Sequence, residues 1–162
     1  MRIVEAIEKK IIQLPALIKK VNGWRLHEKT VSFTNGCFDI LHEGHIFSLS
    51  QAAKEADFLI VGMNSDESIK KLKGNNRPVN NQKSRSLILA SLLMVDAVVI
   101  FNEETPYNLI TSILPNVLVK GGDYTVDQIA GAKEVIANGG KVIINPIVQG
   151  FSTTSILEKI KN

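Results

Sequence analysis

Hydrophobic positions along the chain fall into two alternating patterns. Short runs rich in Val, Ile or Phe at residues 30–34, 58–62, 97–100, 117–119 and 141–144, bounded by Gly, Asn, Asp or Pro, read as strands. Segments of helical periodicity lie between them at about residues 44–55, 84–93, 106–113 and 129–138, and a last one spans 154–160. This alternation predicts an α/β fold, a Rossmann-like open parallel sheet of about five strands with right-handed crossovers and helices on both faces. Ahead of the first strand, Ile3, Ile7, Ile11 and Leu14 recur at helical spacing. They predict an extra helix that packs across the sheet or against a second subunit, with Pro15 bending or ending its first part. The chain thus divides into a helical extension over residues 1–28 and one α/β domain over residues 29–162. Residues 73–82, with Gly74, four Asn and Pro78, read as an exposed, mobile loop.

Composition narrows this picture. A length of 162 residues with 44% hydrophobic and 22% charged content is that of a single globular domain. No apolar run approaches the roughly 20 residues that cross a membrane, so no membrane partner is expected. Cys37 is the only cysteine. It cannot pair within the chain or join a thiol zinc cluster, which fits a reducing, cytoplasmic setting. The net charge of +3 is too small to mark a nucleic-acid binder. Its basic residues Lys70, Lys71, Lys73, Arg77, Lys83 and Arg85 cluster in one stretch without interleaved aromatics, the pattern of a local anion site and not of a nucleic-acid surface.

The strongest chemical signal is the run Thr34-Asn35-Gly36-Cys37-Phe38-Asp39-Ile40-Leu41-His42-Glu43-Gly44-His45, directly after the first strand and before a helix. Ligands of open parallel sheets bind outside the carboxyl ends of the strands, where a helix N-terminus offers free N–H groups and a positive dipole end to phosphate. Gly36 lets the backbone approach a ligand, and Gly44 keeps the helix start open. His42 and His45 can reach one polyphosphate and donate hydrogen bonds to oxygens that gain charge as pyrophosphate leaves. Zinc is disfavoured, since this spacing wants a third ligand and no further Cys or His supplies one. His27 has no such setting and reads as structural.

The segment from Gly36 to His45 resembles the signature of the HxGH nucleotidyltransferase superfamily, which includes glycerol-3-phosphate cytidylyltransferase and pantetheine-phosphate adenylyltransferase. Asn64-Ser65-Asp66, Leu72-Lys73-Gly74, Arg77-Pro78-Val79-Asn80, Val119-Lys120-Gly121-Gly122-Asp123-Tyr124, Ile129-Ala130-Gly131 and Ser152-Thr153-Thr154-Ser155-Ile156 are similar to the adenylyltransferase domain of ADP-heptose synthases. The resemblance covers the chain from about Lys29 onward. It implies a nucleotidyltransferase domain over residues 29–162 that transfers AMP from ATP to a sugar 1-phosphate, D-glycero-β-D-manno-heptose 1-phosphate, with Mg²⁺ accompanying ATP. The sugar kinase often fused to such domains would then be a separate protein. A homodimer is implied as well.

Carried over residue by residue, the resemblance assigns catalytic roles to His42, His45 and Lys73. It assigns nucleotide binding to Thr34, Asn35, Gly36, Phe38, His42, Gly44, His45, Lys71, Lys120, Gly121, Asp123, Ser152, Thr153 and Thr154. Asp39, Asn64, Asp66 and Arg85 are assigned to the substrate, and no protein side chain is assigned as a metal ligand. Asp39 and Asp123 suit either a sugar hydroxyl or a metal. The three hydroxyls of Ser152 to Thr154 exceed what N-capping needs and suit a second anion cradle. Val148 stands where cytidylyltransferases of the superfamily carry an arginine, which favours ATP over CTP. The alternatives are a cytidylyltransferase, such as one for glycerol 3-phosphate, and a non-catalytic nucleotide-binding module.

Overall fold

Five strands form the centre of the molecule, a computed structural model that describes residues 6–146 together with Thr153, Ile156, Leu157 and Lys159. They are β1 (Val31–Gly36), β2 (Phe58–Asn64), β3 (Ala97–Phe101), β4 (Val117–Gly121) and β5 (Lys141–Asn145). All neighbours are parallel, in the order β3-β2-β1-β4-β5. Strands of a parallel sheet are covered on both faces, which is why they read as near-continuous apolar runs. Within β2, Leu59, Val61 and Met63 enter one hydrophobic cluster and Ile60 the other, the period of 2 that a pleated strand imposes. β3 divides likewise, with Ala97, Val99 and Phe101 on one face and Val98 and Ile100 on the other.

Helices close both faces. One face is covered by α1 (Leu14–Leu26), α5 (Tyr107–Ile113) and α6 (Ala132–Ala137), which contribute Leu17, Val21, Leu109, Ile113 and Val135 to its core. The other is covered by α2 (Glu43–Ala53) and α4 (Gln82–Ser91), through Leu49, Ala52, Leu89 and Ala90. The expected α/β fold is the observed one. Among the described residues, no helix is long and apolar enough to cross a membrane.

Three local expectations are corrected. The early segment is not one helix bent at Pro15. Residues Glu8–Lys10 form a 3₁₀ turn, Ile11 pairs with Val98, and α1 begins at Leu14 with Pro15 in its first turn. A proline there has no N–H to waste and a φ already suited to a helix. Ile7 and Ile11 pack on the α2/α4 face and Leu14 on the opposite face, so the segment wraps the exposed edge of β3. These side chains find their partners within the chain and require no second subunit. Ile3 lies outside the described residues.

The second correction is α3 (Asp66–Lys73), which the apolar pattern did not predict. Ser65 caps it by accepting from the N–H of Ser68 at 3.1 Å. Asp66 and Glu67 stand in its first turn and Lys70, Lys71 and Lys73 in its last, as the helix dipole favours.

The third concerns residues 73–82, expected to be mobile. The segment is largely exposed, yet the backbone N–H groups of Val79 and Asn80 and Nε of Arg77 all donate to the carboxylate of Asp39. That carboxylate tethers the loop to the turn after β1.

The strand order sets the position of any site. From β1 the chain adds β2 and β3 on one side and then returns to add β4 and β5 on the other. The crevice at the carboxyl ends of β1 and β4 is therefore the topological switch point, where open α/β sheets bind ligands.

Candidate active site

At the end of β1 the chain turns sharply. Phe38 has φ of 47°, the left-handed region that bulky residues seldom adopt. Its ring lies over Gly36 and beside His45, with ring centroids 5.3 Å apart. A Cβ on Gly36 would stand 3.1 Å from two atoms of the Phe38 ring. The glycine is needed as much for this aromatic neighbour as for a ligand.

His42 is the N-cap residue of α2, with an extended backbone and no capping hydrogen bond from its side chain. Its carbonyl accepts from the N–H of His45 at 2.9 Å and of Ile46 at 3.2 Å, which fixes the first turn. Residues three apart share a helix face, and the two imidazoles stack with centroids 3.8 Å apart and planes at 26°. Neither buried Nδ1 has a hydrogen-bond partner among the described residues. Burial lowers the pKa of His42. For His45, burial first, then His42, then the charge of Lys73 push the pKa down to about 4. Both rings are thus neutral donors and acceptors at pH 7, at a helix N-terminus that favours negative charge.

The opposite wall comes from the end of β4. Lys120 donates through Nζ to Oδ1 of Asn35 at 3.3 Å and lies 5.4 Å from the centroid of the Tyr124 ring. Burial lowers its pKa. Gly122 has φ of 124° and its N–H donates to the carbonyl of Asn145 at 3.2 Å. A side chain there would be strained, and its Cβ would meet the Tyr124 ring at 3.0 Å. Between the two walls is a cleft of about 620 Å³, lined by Thr34, Asn35, Gly36, Phe38, His42, Gly44, His45, Lys120, Gly121 and Asp123 and also by Ser48, Gly122, Tyr124 and Pro146. That volume is within the range of sites for nucleotide-sized molecules. The first ten are all residues that the sequence pointed to as nucleotide-binding. Ser48 was not, although its spacing of three from His45 on one helix was a usable signal.

A second cavity of about 310 Å³ adjoins the first, and Asn35, Gly36, Lys120 and Tyr124 line both. Its remaining wall includes Cys37, Asn64, Leu72, Glu104, Thr105, Gln128 and Ala130. Of the residues expected to bind the substrate, Asn64 alone lines either cavity.

The other three have different uses. Asp39 is almost fully buried. Its carboxylate accepts from Arg77 at 2.7 Å, from Val79 at 2.8 Å and from Asn80 at 3.0 Å. Burial alone would raise its pKa, but those hydrogen bonds outweigh it and hold the carboxyl below its usual value. A carboxylate so occupied has no capacity left for a sugar hydroxyl or a metal. Arg85 is 1% exposed. It donates to the carbonyls of Cys37 at 2.6 Å, Asn64 at 2.8 Å and Asn80 at 3.0 Å, and to Asp66 at 2.7 Å. It ties together the ends of β1 and β2 and the start of α4, and it occupies Asp66 while doing so.

The lysines separate as well. Lys73 is near enough to lower the pKa of His45. Both lysines are exposed and neither lines a cavity, and Lys71 pairs with Glu67 at 3.7 Å. Thr153 is helical and half-buried, whereas Ser152 and Thr154, and with them the expected hydroxyl cradle, lie outside the described residues. Val148 lies outside them too.

Comparison with known proteins agrees with this architecture. The cytidylyltransferase-like family model matches residues 33–159. The bifunctional protein HldE of Rhodospirillum rubrum is 48% identical over 157 residues, which are 97% of this chain and 32% of that protein. Its counterpart in Nitrobacter winogradskyi is 51% identical over 155 residues, 95% of this chain and again 32% of the relative. The chain thus spans about a third of the length of the curated relatives it matches. Among solved structures, the lipopolysaccharide core biosynthesis protein of Thermoplasma volcanium superposes with a TM-score of 0.59 at 26% identity, covering 74% of this chain and 97% of that one. The pantoate-beta-alanine ligase of Francisella tularensis superposes with a TM-score of 0.56 at 20% identity over 93% of this chain and 76% of its own, a likeness of fold alone. With the matched model spanning the sheet, the histidine pair and the opposite wall of the cleft, this chain belongs to the cytidylyltransferase-like family of nucleotidyltransferases.

Proposed function

We propose that the chain is an adenylyltransferase that joins AMP from ATP to a sugar 1-phosphate, D-glycero-β-D-manno-heptose 1-phosphate, and releases pyrophosphate. The observation that carries the reading is the stacked pair of neutral imidazoles at the N-terminus of α2, each with a buried nitrogen that has no partner among the described residues. Both rings line the cleft, where the helix start also offers free N–H groups to phosphate oxygens. The choice of a sugar phosphate is supported by the resemblance of Lys120 to Tyr124 to the heptose enzymes and by the likeness to relatives named HldE. It is also consistent with the name of the Thermoplasma neighbour, a lipopolysaccharide core biosynthesis protein.

In this reading an oxygen of the sugar phosphate attacks the α-phosphorus, and the bond from that phosphorus to the bridging oxygen of the β-phosphate breaks. A phosphate monoester is already anionic at pH 7. No general base is needed, and the protein contributes positioning and charge stabilisation. His42 and His45 donate to the transferring and leaving phosphates, and Lys73 approaches them from the end of α3. Mg²⁺ bound to the triphosphate would neutralise further charge. The described residues contain no cluster of three side chains able to hold a metal, and Asp123 is the one carboxylate lining the cleft. That donor set suits an ion carried in by the nucleotide and touched by a single carboxylate.

The test is pyrophosphate release from ATP and from CTP with a panel of sugar 1-phosphates and glycerol 3-phosphate. ATP with a heptose 1-phosphate should exceed CTP by more than tenfold in kcat/KM, a difference of about 1.4 kcal/mol in transition-state binding. Equal or better use of CTP would replace this reading with the cytidylyltransferase one. ATP binding without pyrophosphate from any acceptor would leave a nucleotide-binding module.

A further inference from the structure

The histidine pair suits the phosphates of a nucleotide, and the same face of α2 continues along the cleft. Ser48 follows His45 by three residues and lines the cleft with it. At 1.5 Å per residue it stands one turn, about 4.5 Å, further along the helix axis. Its backbone is fixed from across the cleft. The carbonyl of Ser48 accepts from Nδ2 of Asn145 at 3.5 Å, and the carbonyl of Asn145 accepts from the N–H of Gly122 at 3.2 Å. These two bonds latch that turn of α2 to the end of β5 and to the turn after β4.

The latch leaves the side chain of Ser48 unused. In α4 and α5 the hydroxyls of Ser86, Ser91, Thr111 and Ser112 donate back to a carbonyl of their own helix. Oγ of Ser48 is half-buried at the cleft wall and has no hydrogen-bond partner among the described residues. It faces Gly121, where an added Cβ would stand 3.3 Å from it. The missing side chain at Gly121 keeps the space before the hydroxyl open. A group that donates and accepts, beside a glycine and next to Pro146, which bring no charge, suits another hydroxyl better than a phosphate.

We propose that Ser48 binds a ribose hydroxyl of the nucleotide and so makes the cleft selective for ribonucleotides over deoxyribonucleotides. With the triphosphate held at His42 and His45, the ribose is the next unit of the molecule. One helical turn matches the reach from the α-phosphate to the 2′ and 3′ oxygens. The Asn145 latch holds the hydroxyl in place before the nucleotide arrives, so that little side-chain freedom is lost on binding. The assignment rests on reading this cleft as the nucleotide site. It depends neither on the base nor on the acceptor.

Ser48→Ala tests it, since it removes the hydroxyl with no loss of helix propensity, and thermal melting checks the fold. Calorimetry with ATP, 2′-deoxy-ATP and 3′-deoxy-ATP, each with Mg²⁺ and without acceptor, measures the contact in both proteins. The wild type should bind ATP about fivefold more tightly than the deoxy form that lacks the bonded oxygen, the range of one neutral hydrogen bond. Ser48→Ala should weaken ATP by about the same factor and leave that deoxy form within twofold, so that the discrimination disappears. Unchanged ATP affinity in the folded variant would overturn the proposal. So would an equal loss for all three nucleotides, which would put the hydroxyl against the base or the phosphates. The same pattern with CTP and its deoxy forms, and none with ATP, would keep the ribose contact and sink the adenylyltransferase reading instead. The pattern with ATP, but without pyrophosphate release from any acceptor, would keep the contact and sink the transfer reaction.

Discussion

Nε of Arg77 donates to Oδ2 of Asp39 at 2.7 Å, and this contact joins two segments 38 residues apart. Asp39 lies in the turn between Gly36 and His42, so the loop before α4 and the approach to the histidine pair are held by one carboxylate. The pair is buried, with side-chain exposures of 15% and 1%. Removing one partner from a buried, hydrogen-bonded pair costs about 3–5 kcal/mol, because the other charge is left uncompensated.

Asp39→Asn should therefore destabilise the protein by about 3 kcal/mol in urea unfolding and lower turnover as well, although its carboxylate touches neither cavity. A folded variant with wild-type stability would show that the Val79 and Asn80 N–H groups do not depend on the charge.

Asp39 also marks where the sequence stops being informative. The strands were legible because most of their positions are apolar, with only a few polar ones such as Ser32 and Thr34 in β1 to interrupt the runs. The turn from Thr34 to His45 was legible because residue types with phosphate chemistry follow one another along it. The saturation of Asp39 was not, since its partners at positions 77, 79 and 80 become neighbours only in the fold. Arg85 was misjudged for the same reason, as a surface cation and a buried clamp are the same letter. α3 was missed because Ile69 is its one fully buried apolar side chain and its other positions are mostly charged. The smaller cavity draws on the ends of β1, β2 and β4, on α3 and on the segments around Glu104 and Gln128, and no local pattern links them.

His45→Ala should leave the fold intact and reduce kcat at least about a hundredfold, since one donor aimed at developing charge contributes roughly 3 kcal/mol. Thermal melting and pyrophosphate release on the same preparation check both halves of the claim. An unchanged rate in a folded variant would remove the histidine pair from the chemistry.

Acid should weaken the free protein through the same residue. His45 takes up a proton near pH 6.5 when unfolded but only near pH 4 when folded. Between those values the unfolded chain binds more protons, so the stabilisation is complete above pH 6.5 and is lost as pH falls toward 4. Melting temperature should decline across that window, and His45→Gln should flatten the decline. Parallel curves for the two proteins would place the acid sensitivity elsewhere.

Nucleotide binding should reverse that preference for the neutral ring. A triphosphate laid across two stacked imidazoles favours their protonated forms, because a nearby opposite charge raises a histidine pKa just as burial and the neighbouring His42 and Lys73 lower it. Binding of ATP near pH 6 should then draw protons from solution, and affinity should rise as pH falls from 7.5 to 6, opposite to the trend for stability of the free protein. Calorimetric titrations in buffers of different ionisation enthalpy measure the uptake directly as the slope of observed heat against buffer heat. A slope of about zero at pH 6, in a protein that binds ATP, would mean that the phosphates do not contact the pair. With uptake present in the wild type and much reduced in His45→Gln, the triphosphate is located at the N-terminus of α2 without recourse to turnover.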